Sequence, residues 1–191
     1  MVNVRTQPNH AQSGTSMIEV LVTIIILAIG LLGLAGLQSR LQASEMEAYQ
    51  RAQALILLND MASRIATNRA KAVAYVTGTT NSLGAGMTCP TAVSTQQEID
   101  AGEWCEALQG AAETSSDDSK VGAMLGGRGC VEDLGGGSYR VPVAWQGLTP
   151  IAPPPVAVAC GKDSYDTAGT ACTADRCRRA IATIVRIAKL D

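Results

Sequence analysis

The sequence predicts an α+β protein in which one long N-terminal helix precedes a C-terminal group of strands. Three observations carry that expectation. Val20–Leu37 reads VLVTIIILAIGLLGLAGL, eighteen residues without a charge and with Thr23 as the only polar side chain. A charged, amphipathic and proline-free stretch then continues through Val76. The last third of the chain alternates apolar and polar residues at the two-residue period of strands.

At about 1.5 Å per residue the apolar run nearly spans the roughly 30 Å hydrocarbon core of a bilayer. The 191 residues allow one domain plus such an appendage. Gly30, Gly33 and Gly36 interrupt the run, each at a cost of about 1 kcal/mol relative to alanine. Close packing of membrane helices favours small residues at such positions, and local melting of the helix during assembly is the other reading. Gln38 to Val76 forms the amphipathic half, stopped by Gly78, with Ala52, Leu55, Leu58, Ala62 and Ile65 as an apolar stripe. Glu47 with Arg51 and Asp60 with Arg64 stand at the favourable i,i+4 spacing. Together the halves give a spine of about 60 residues, roughly 90 Å by the helical rise. The stripe needs a sheet to cover it.

Thr77–Thr88 reads as a Gly, Ser and Thr loop, and Thr95-Gln96-Gln97-Glu98 has the capping-box form that opens a short helix through Gln109. Ala101, Trp104, Cys105 and Leu108 make its inner face. Glu113–Asp118 reads as a solvated acidic loop. Gly126-Gly127-Arg128-Gly129 lacks the Gly-Lys-Ser/Thr of a phosphate loop and reads as a turn. Tyr139, Val141, Val143 and Trp145 share one side of a strand, which Pro142 assigns to an edge or a bulge. Pro155–Cys160 is a second candidate strand. Ala180–Leu190 is the third, with Ile181, Thr183, Val185 and Ile187 on one face. Arg176, Arg178 and Arg179 precede it and read as a solvated loop or partner surface.

Six cysteines, Cys89, Cys105, Cys130, Cys160, Cys172 and Cys177, all follow the apolar segment. An even count beyond a membrane segment points to an oxidising compartment and three disulfides. Their spacings lack the paired close repeats of a zinc site, so no metal is expected. Of fifteen possible pairings, nearest neighbours (89 with 105, 130 with 160, 172 with 177) each close a segment containing plausible turns. The only histidine, His10, lies before the apolar run. Ser-His-Asp and Cys-His catalysis and histidine-ligated metals are thereby excluded downstream of it. No carboxylate or lysine constellation stands out, so no catalytic residue, enzyme activity or cofactor is expected. Net charge is −2, and nothing in it points to a nucleic-acid partner.

The junction Gln12-Ser13-Gly14-Thr15-Ser16-Met17-Ile18-Glu19-Val20 holds the chemistry. Glu19 is a carboxylate on the front of a membrane helix, costly unless paired or neutralised. A secretory signal peptide would have a shorter apolar region and an A-x-A-like site after it. A plain signal anchor explains everything except the local pattern. Gly-Thr-Ser-Met-Ile-Glu followed by the apolar run resembles the class III leader of type IV prepilins and pseudopilins. That resemblance implies cleavage by a prepilin peptidase between Gly14 and Thr15, methylation of the Thr15 amine, and Glu19 as fifth residue of the mature chain. Thr15 stands where the family usually has phenylalanine. The cationic amine and the Glu19 carboxylate of a neighbouring subunit can compensate each other in a dry filament core, and would set the subunit stagger.

Beyond the leader, the order of spine helix, cysteine-bearing loop, G-R-G-C, Y-R-V-P-V-A-W-Q-G and R-R-A-I-A-T-I-V-R-I resembles the PilV family of minor pilins, the type IV pilus modification proteins. The resemblance implies a pilin fold: leader 1–14, membrane half 15–37, amphipathic half 38–76, and a periplasmic disulfide-bonded region 77–191 whose antiparallel sheet covers the helix. It implies a single pass through the bacterial inner membrane, then residence in the pilus. Implied partners are other minor pilins, the major pilin, the inner-membrane assembly platform and an adhesin-like protein at the tip, with a role in priming pilus assembly. A minor pseudopilin of a type II secretion system and a DNA-uptake minor pilin are the alternatives.

Overall fold

A computed structural model describes residues 17–111, 116, 120, 122 and 124–188. Helix α1, Met17–Thr67, is one α-helix of 51 residues. The chain divides within it into two compact units, one ending at Ala43 and the other beginning at Ser44. The second unit holds the hydrophobic core.

The α-helix stops at Thr67, short of the expected Val76, and a 3₁₀ segment Arg69–Tyr75 takes over. The tighter winding turns Ala72 and Tyr75 into the core. The Tyr75 hydroxyl then meets Asp100, and Asn68 Nδ2 donates to it at 3.0 Å. The buried line on α1 is Gln50, Ala54, Leu58, Met61 and Ile65. That phase differs from the expected stripe: Ala52 and Leu55 face solvent, while Leu58 and Ile65 are buried and Ala62 half-buried. Gln50 is polar and so contributes nothing to an apolar stripe, which shifts its apparent centre. Each large apolar side chain in the buried line contributes about 1.5–3 kcal/mol.

The sheet is antiparallel throughout. Strand β1 is Leu83–Gly84, β2 Arg128–Gly129, β3 Glu132–Asp133, β4 Ser138–Gln146 and β5 Arg178–Arg186. β4 is central: β5 pairs along its whole length on one side, β2 and β3 lie end to end on the other, and β1 pairs with β2. Pro142 therefore sits in the middle strand, not at an edge or bulge. Its ring nitrogen faces Cys130, whose N–H donates to the Pro142 carbonyl at 3.0 Å. The reciprocal bond lacks a donor, so pairing breaks there and leaves β2 and β3 as separate pieces in one register. Val131 instead turns to Thr77, receiving the Thr77 N–H at 3.0 Å and donating its own N–H to Thr77 Oγ1 at 3.0 Å.

Tyr139, Val141, Val143 and Trp145 are all buried, as their alternation predicts, and Ile181, Val185 and Ile187 pack against the same cluster. β5 begins two residues earlier than expected. Pro155–Cys160 forms turns in place of a strand, Val158 N–H bonding back to the Pro155 carbonyl at 2.9 Å. Three consecutive prolines, Pro153 to Pro155, supply no donors for a ladder. Gly126 takes φ +62 ahead of β2, so the expected turn there runs directly into a strand.

Helix α2, Gln96–Leu108, carries the complete capping box, Thr95 Oγ1 receiving the Glu98 N–H and the Glu98 carboxylate receiving the Thr95 N–H. Trp104 faces inward from it, fully buried, and its indole N–H donates to the Leu57 carbonyl of α1 at 2.8 Å. The opposite edge of the ring lies against Gly129. A Cβ there would come within 2.2 Å of Trp104, so the second unit closes only with glycine at that place.

Gly129→Ala is expected to lower stability by about 1–3 kcal/mol through overpacking. Gly36→Ala, where nothing lies within 4 Å of the new Cβ, is expected to lose none. Denaturant unfolding of the detergent-solubilised chain, followed by tryptophan fluorescence, measures both.

Candidate functional site

Gly14 and Thr15 lie outside the described residues. Glu19 lies in the first turn of α1 and is exposed. A carboxylate there is favoured by the unpaired N–H groups at the start of a helix. Every residue from Met17 to Gln42 is exposed, Ile18 and Leu32 each at 73%. The best membrane-length window of α1 has mean hydropathy 2.8, and none of it is buried. Thr23 returns its hydroxyl to the Val20 carbonyl at 2.8 Å, so the one polar side chain of the apolar run is satisfied within the helix. No Cβ added at Gly30, Gly33 or Gly36 would meet another atom within 4 Å. These glycine faces are therefore open among the described residues.

Each cysteine bonds its nearest neighbour in sequence. Cys89 joins Cys105, Cys130 joins Cys160 and Cys172 joins Cys177, with Cα separations of 5.6, 5.9 and 5.1 Å. Loop-closure entropy assigns them about 3, 3.6 and 2 kcal/mol on a chain-entropy model. The first ties α2 to the segment before it, and the second ties the middle of the sheet to the loop after β4. The third closes the turn entering β5. Tyr165 anchors that last loop, its hydroxyl donating to the Gly126 carbonyl at 2.8 Å beneath the Arg128 guanidinium, 5.1 Å from the ring centre. Among the described residues no group of three or more His, Cys, Asp or Glu could hold a metal.

The arginines before the last strand do not form the expected solvated surface. Arg176 is exposed, but Arg178 and Arg179 are buried at 2% and 9% exposure. Arg178 binds Asp175 at 3.0 Å and the Val158 carbonyl at 2.7 Å. Arg179 forms a two-point clamp on Glu47, at 3.0 and 3.2 Å, and reaches the Thr149 carbonyl at 2.7 Å. Glu47 also accepts the Leu148 N–H at 3.0 Å. It thus pairs across the fold, 132 residues away in sequence, in place of the expected helical partner Arg51. The Asp60–Arg64 pair does form, at 3.0 Å, and Arg64 reaches on to Asp100 at 2.9 Å and Glu103 at 2.7 Å.

Burial pushes the Asp100 carboxyl up, but hydrogen bonds from Tyr75, Gln96 and Arg64 outweigh it and hold Asp100 below the usual carboxylate range. Glu47 follows the same balance, with Arg179 and the Leu148 amide as its donors. Burial and the bond to Asp100 push the Tyr75 hydroxyl up to about 12. Glu132 stands apart: burial raises it, and Arg140 only partly offsets the shift.

The prokaryotic N-terminal methylation motif matches residues 9–35. The match contains Gly14, Thr15 and Glu19 and runs into the exposed apolar helix. Searches of curated proteins and of solved structures return no match. The chain thus carries a type IV pilin-like leader on a pilin-like architecture, a long apolar helix packed through its second half on a small antiparallel sheet. Such a helix behind such a leader fits membrane anchoring.

The signs of the shifts set the response to pH. Asp100 and Glu47, depressed in the folded chain, contribute stability present above their unfolded values near pH 4 and lost as pH falls through the folded ones. Tyr75, raised to about 12, contributes below about pH 10 and is lost as pH rises towards 12. Urea midpoints of the solubilised chain are expected to fall from pH 5 to pH 3, and the fall to shrink in Asp100→Asn.

Proposed function

We propose that the chain is a minor pilin that helps prime assembly of a type IV pilus, working with other minor pilins in a complex at the filament tip. The observation that carries this reading is the continuity of the methylation motif over residues 9–35 with an apolar helix whose membrane-length window is exposed among the described residues. A membrane peptidase cuts after Gly14, and the new Thr15 amine is methylated. The helix first resides in the inner membrane with the disulfide-bonded region in the periplasm. The three disulfides agree with that compartment. On assembly the helix exchanges lipid for the helices of neighbouring subunits, and its glycines admit close approach. The Glu19 carboxylate then meets the N-terminal amine of a neighbour, because each charge is costly alone in a dry core. An adhesin-like tip protein and the inner-membrane assembly platform complete the set of partners, with no nucleic acid and no catalytic step.

A minor pseudopilin of a type II secretion system would share the leader and helix, and phenotype separates the two. Deletion is expected to remove surface pili and twitching while leaving exoprotein secretion intact; the reverse pattern would assign the chain to secretion. Glu19→Ala is expected to leave cleavage and membrane level unchanged while lowering recovery in sheared filaments about tenfold or more. Removing one partner of a buried charge pair costs about 3–5 kcal/mol. Immunoblots of membranes and sheared filaments read both quantities.

A further inference from the structure

β5 is the last strand of the sheet, nine residues long, and among the described residues it pairs only with β4. The register fixes which of its backbone groups face away. The Ile187 N–H donates to the Gly137 carbonyl at 2.8 Å, and the Gly147 N–H to the Cys177 carbonyl at 2.7 Å. Bonded and non-bonded pairs alternate along an antiparallel ladder. Arg179, Ile181, Thr183 and Val185 therefore bond to β4, while the N–H and C=O groups of Ala180, Ala182, Ile184 and Arg186 point outward. Side-chain hydrogen bonds to the preceding loops reach Arg178 and Arg179 and go no further along the strand among the described residues.

Proteins blunt such edges with proline, bulges, inward charges or a covering loop. Ala180 to Val185 holds no proline, no charge and no bulge, and no loop among the described residues hydrogen-bonds to its outer edge. The six residues read AIATIV, uncharged and rich in β-branched side chains, with regular pairing throughout, and Ile184 is 51% exposed. An edge of this length and composition is a ready template for another strand.

Charge decides which strand. Arg186 closes one end of β5 and Arg176 precedes the other, and neither has an ion pair among the described residues. Arg178 and Arg179 have carboxylates of their own. Two copies pairing edge to edge about a two-fold axis would set the Arg186 end of each against the Arg176 end of the other, an unfavourable meeting of like charges. We propose that the outer edge of β5 takes up an extended strand from a different subunit of the assembly, uncharged at its centre and acidic at both ends. This rests on the filament-subunit reading above and adds to it a specific surface and partner chemistry.

Amide hydrogen exchange on the full chain, read at residue resolution by mass spectrometry, tests the proposal without any variant. Ala182, Ile184 and Arg186 amides are expected to exchange more than about tenfold slower in filaments or membrane-extracted assemblies than in the isolated solubilised chain. Thr183 and Val185 are slow in both. Ala182→Pro removes one outward N–H and no bond to β4; it is expected to keep the unfolding midpoint and lose about tenfold in recovery with assemblies. Equal exchange in a chain that does enter filaments overturns strand addition and leaves the assembly reading standing. A chain absent from filaments overturns both. Protection that appears in the isolated chain and rises with its concentration identifies a second copy as the occupant and overturns the heterologous partner.

Discussion

The structure depends on an apolar surface that its described residues leave bare. From Val20 to Leu37 a continuous helix presents apolar side chains on all sides. At about 25 cal/mol per Å² of apolar area, leaving that surface in water is prohibitive. Lipid or other apolar helices must supply the cover. The backbone is suited to either, since beyond the first turn the peptide groups of the run are bonded along the helix. Glu19 is the single charge at its front, a group that lipid tolerates only at the interface and a helix bundle only beside a cation.

The second unit solves a different problem, which is to hold a small sheet together around few large side chains. The chain has no phenylalanine and only two tryptophans, and one of them does the joining. Trp104 links three elements at once, donating to the Leu57 carbonyl, projecting from α2 and setting the far edge of its ring against Gly129. Around it, ionic contacts substitute for missing apolar bulk. Glu47 and Arg179 hold β5 and the loop at Leu148 and Thr149 to the second half of α1. Arg64, Asp100 and Tyr75 hold the 3₁₀ segment to α2. Such partly buried pairs are expensive to break and modest in net contribution, so they specify the arrangement more than they strengthen it. The disulfides supply the strength that a domain of this size needs.

What could be read from the sequence divides along the range of the interactions. The apolar run, the capping box at Thr95 and Glu98, and the alternation of Tyr139 to Trp145 are local patterns, and local physics sets them. The phase of the buried line on α1 was not legible, because Met61 takes its place in a core built from distant parts of the chain and Gln50 is a polar residue buried beside it. Nor could three clustered arginines be told from a solvated loop, since the partners of Arg179 lie at Glu47 and Thr149 and those of Arg178 at Val158 and Asp175. Pro142 pointed to an edge because a proline usually breaks a ladder. The break does occur, but it falls on the neighbouring strand, dividing β2 from β3. At the N-terminal junction the order of residues alone carried the signal, through the spacing of Gly14, Thr15 and Glu19 ahead of the run.

Processing as proposed makes Thr15 the first residue of a membrane-borne subunit. Intact-mass and N-terminal analysis of the protein extracted from its native membrane tests that most directly. The expected species starts at Thr15, is one methyl group heavier at its amine, and is lighter by two hydrogens for each of three disulfides. A chain that still begins at Met1, or one cut beyond Leu37 so that the apolar helix is lost, would contradict it.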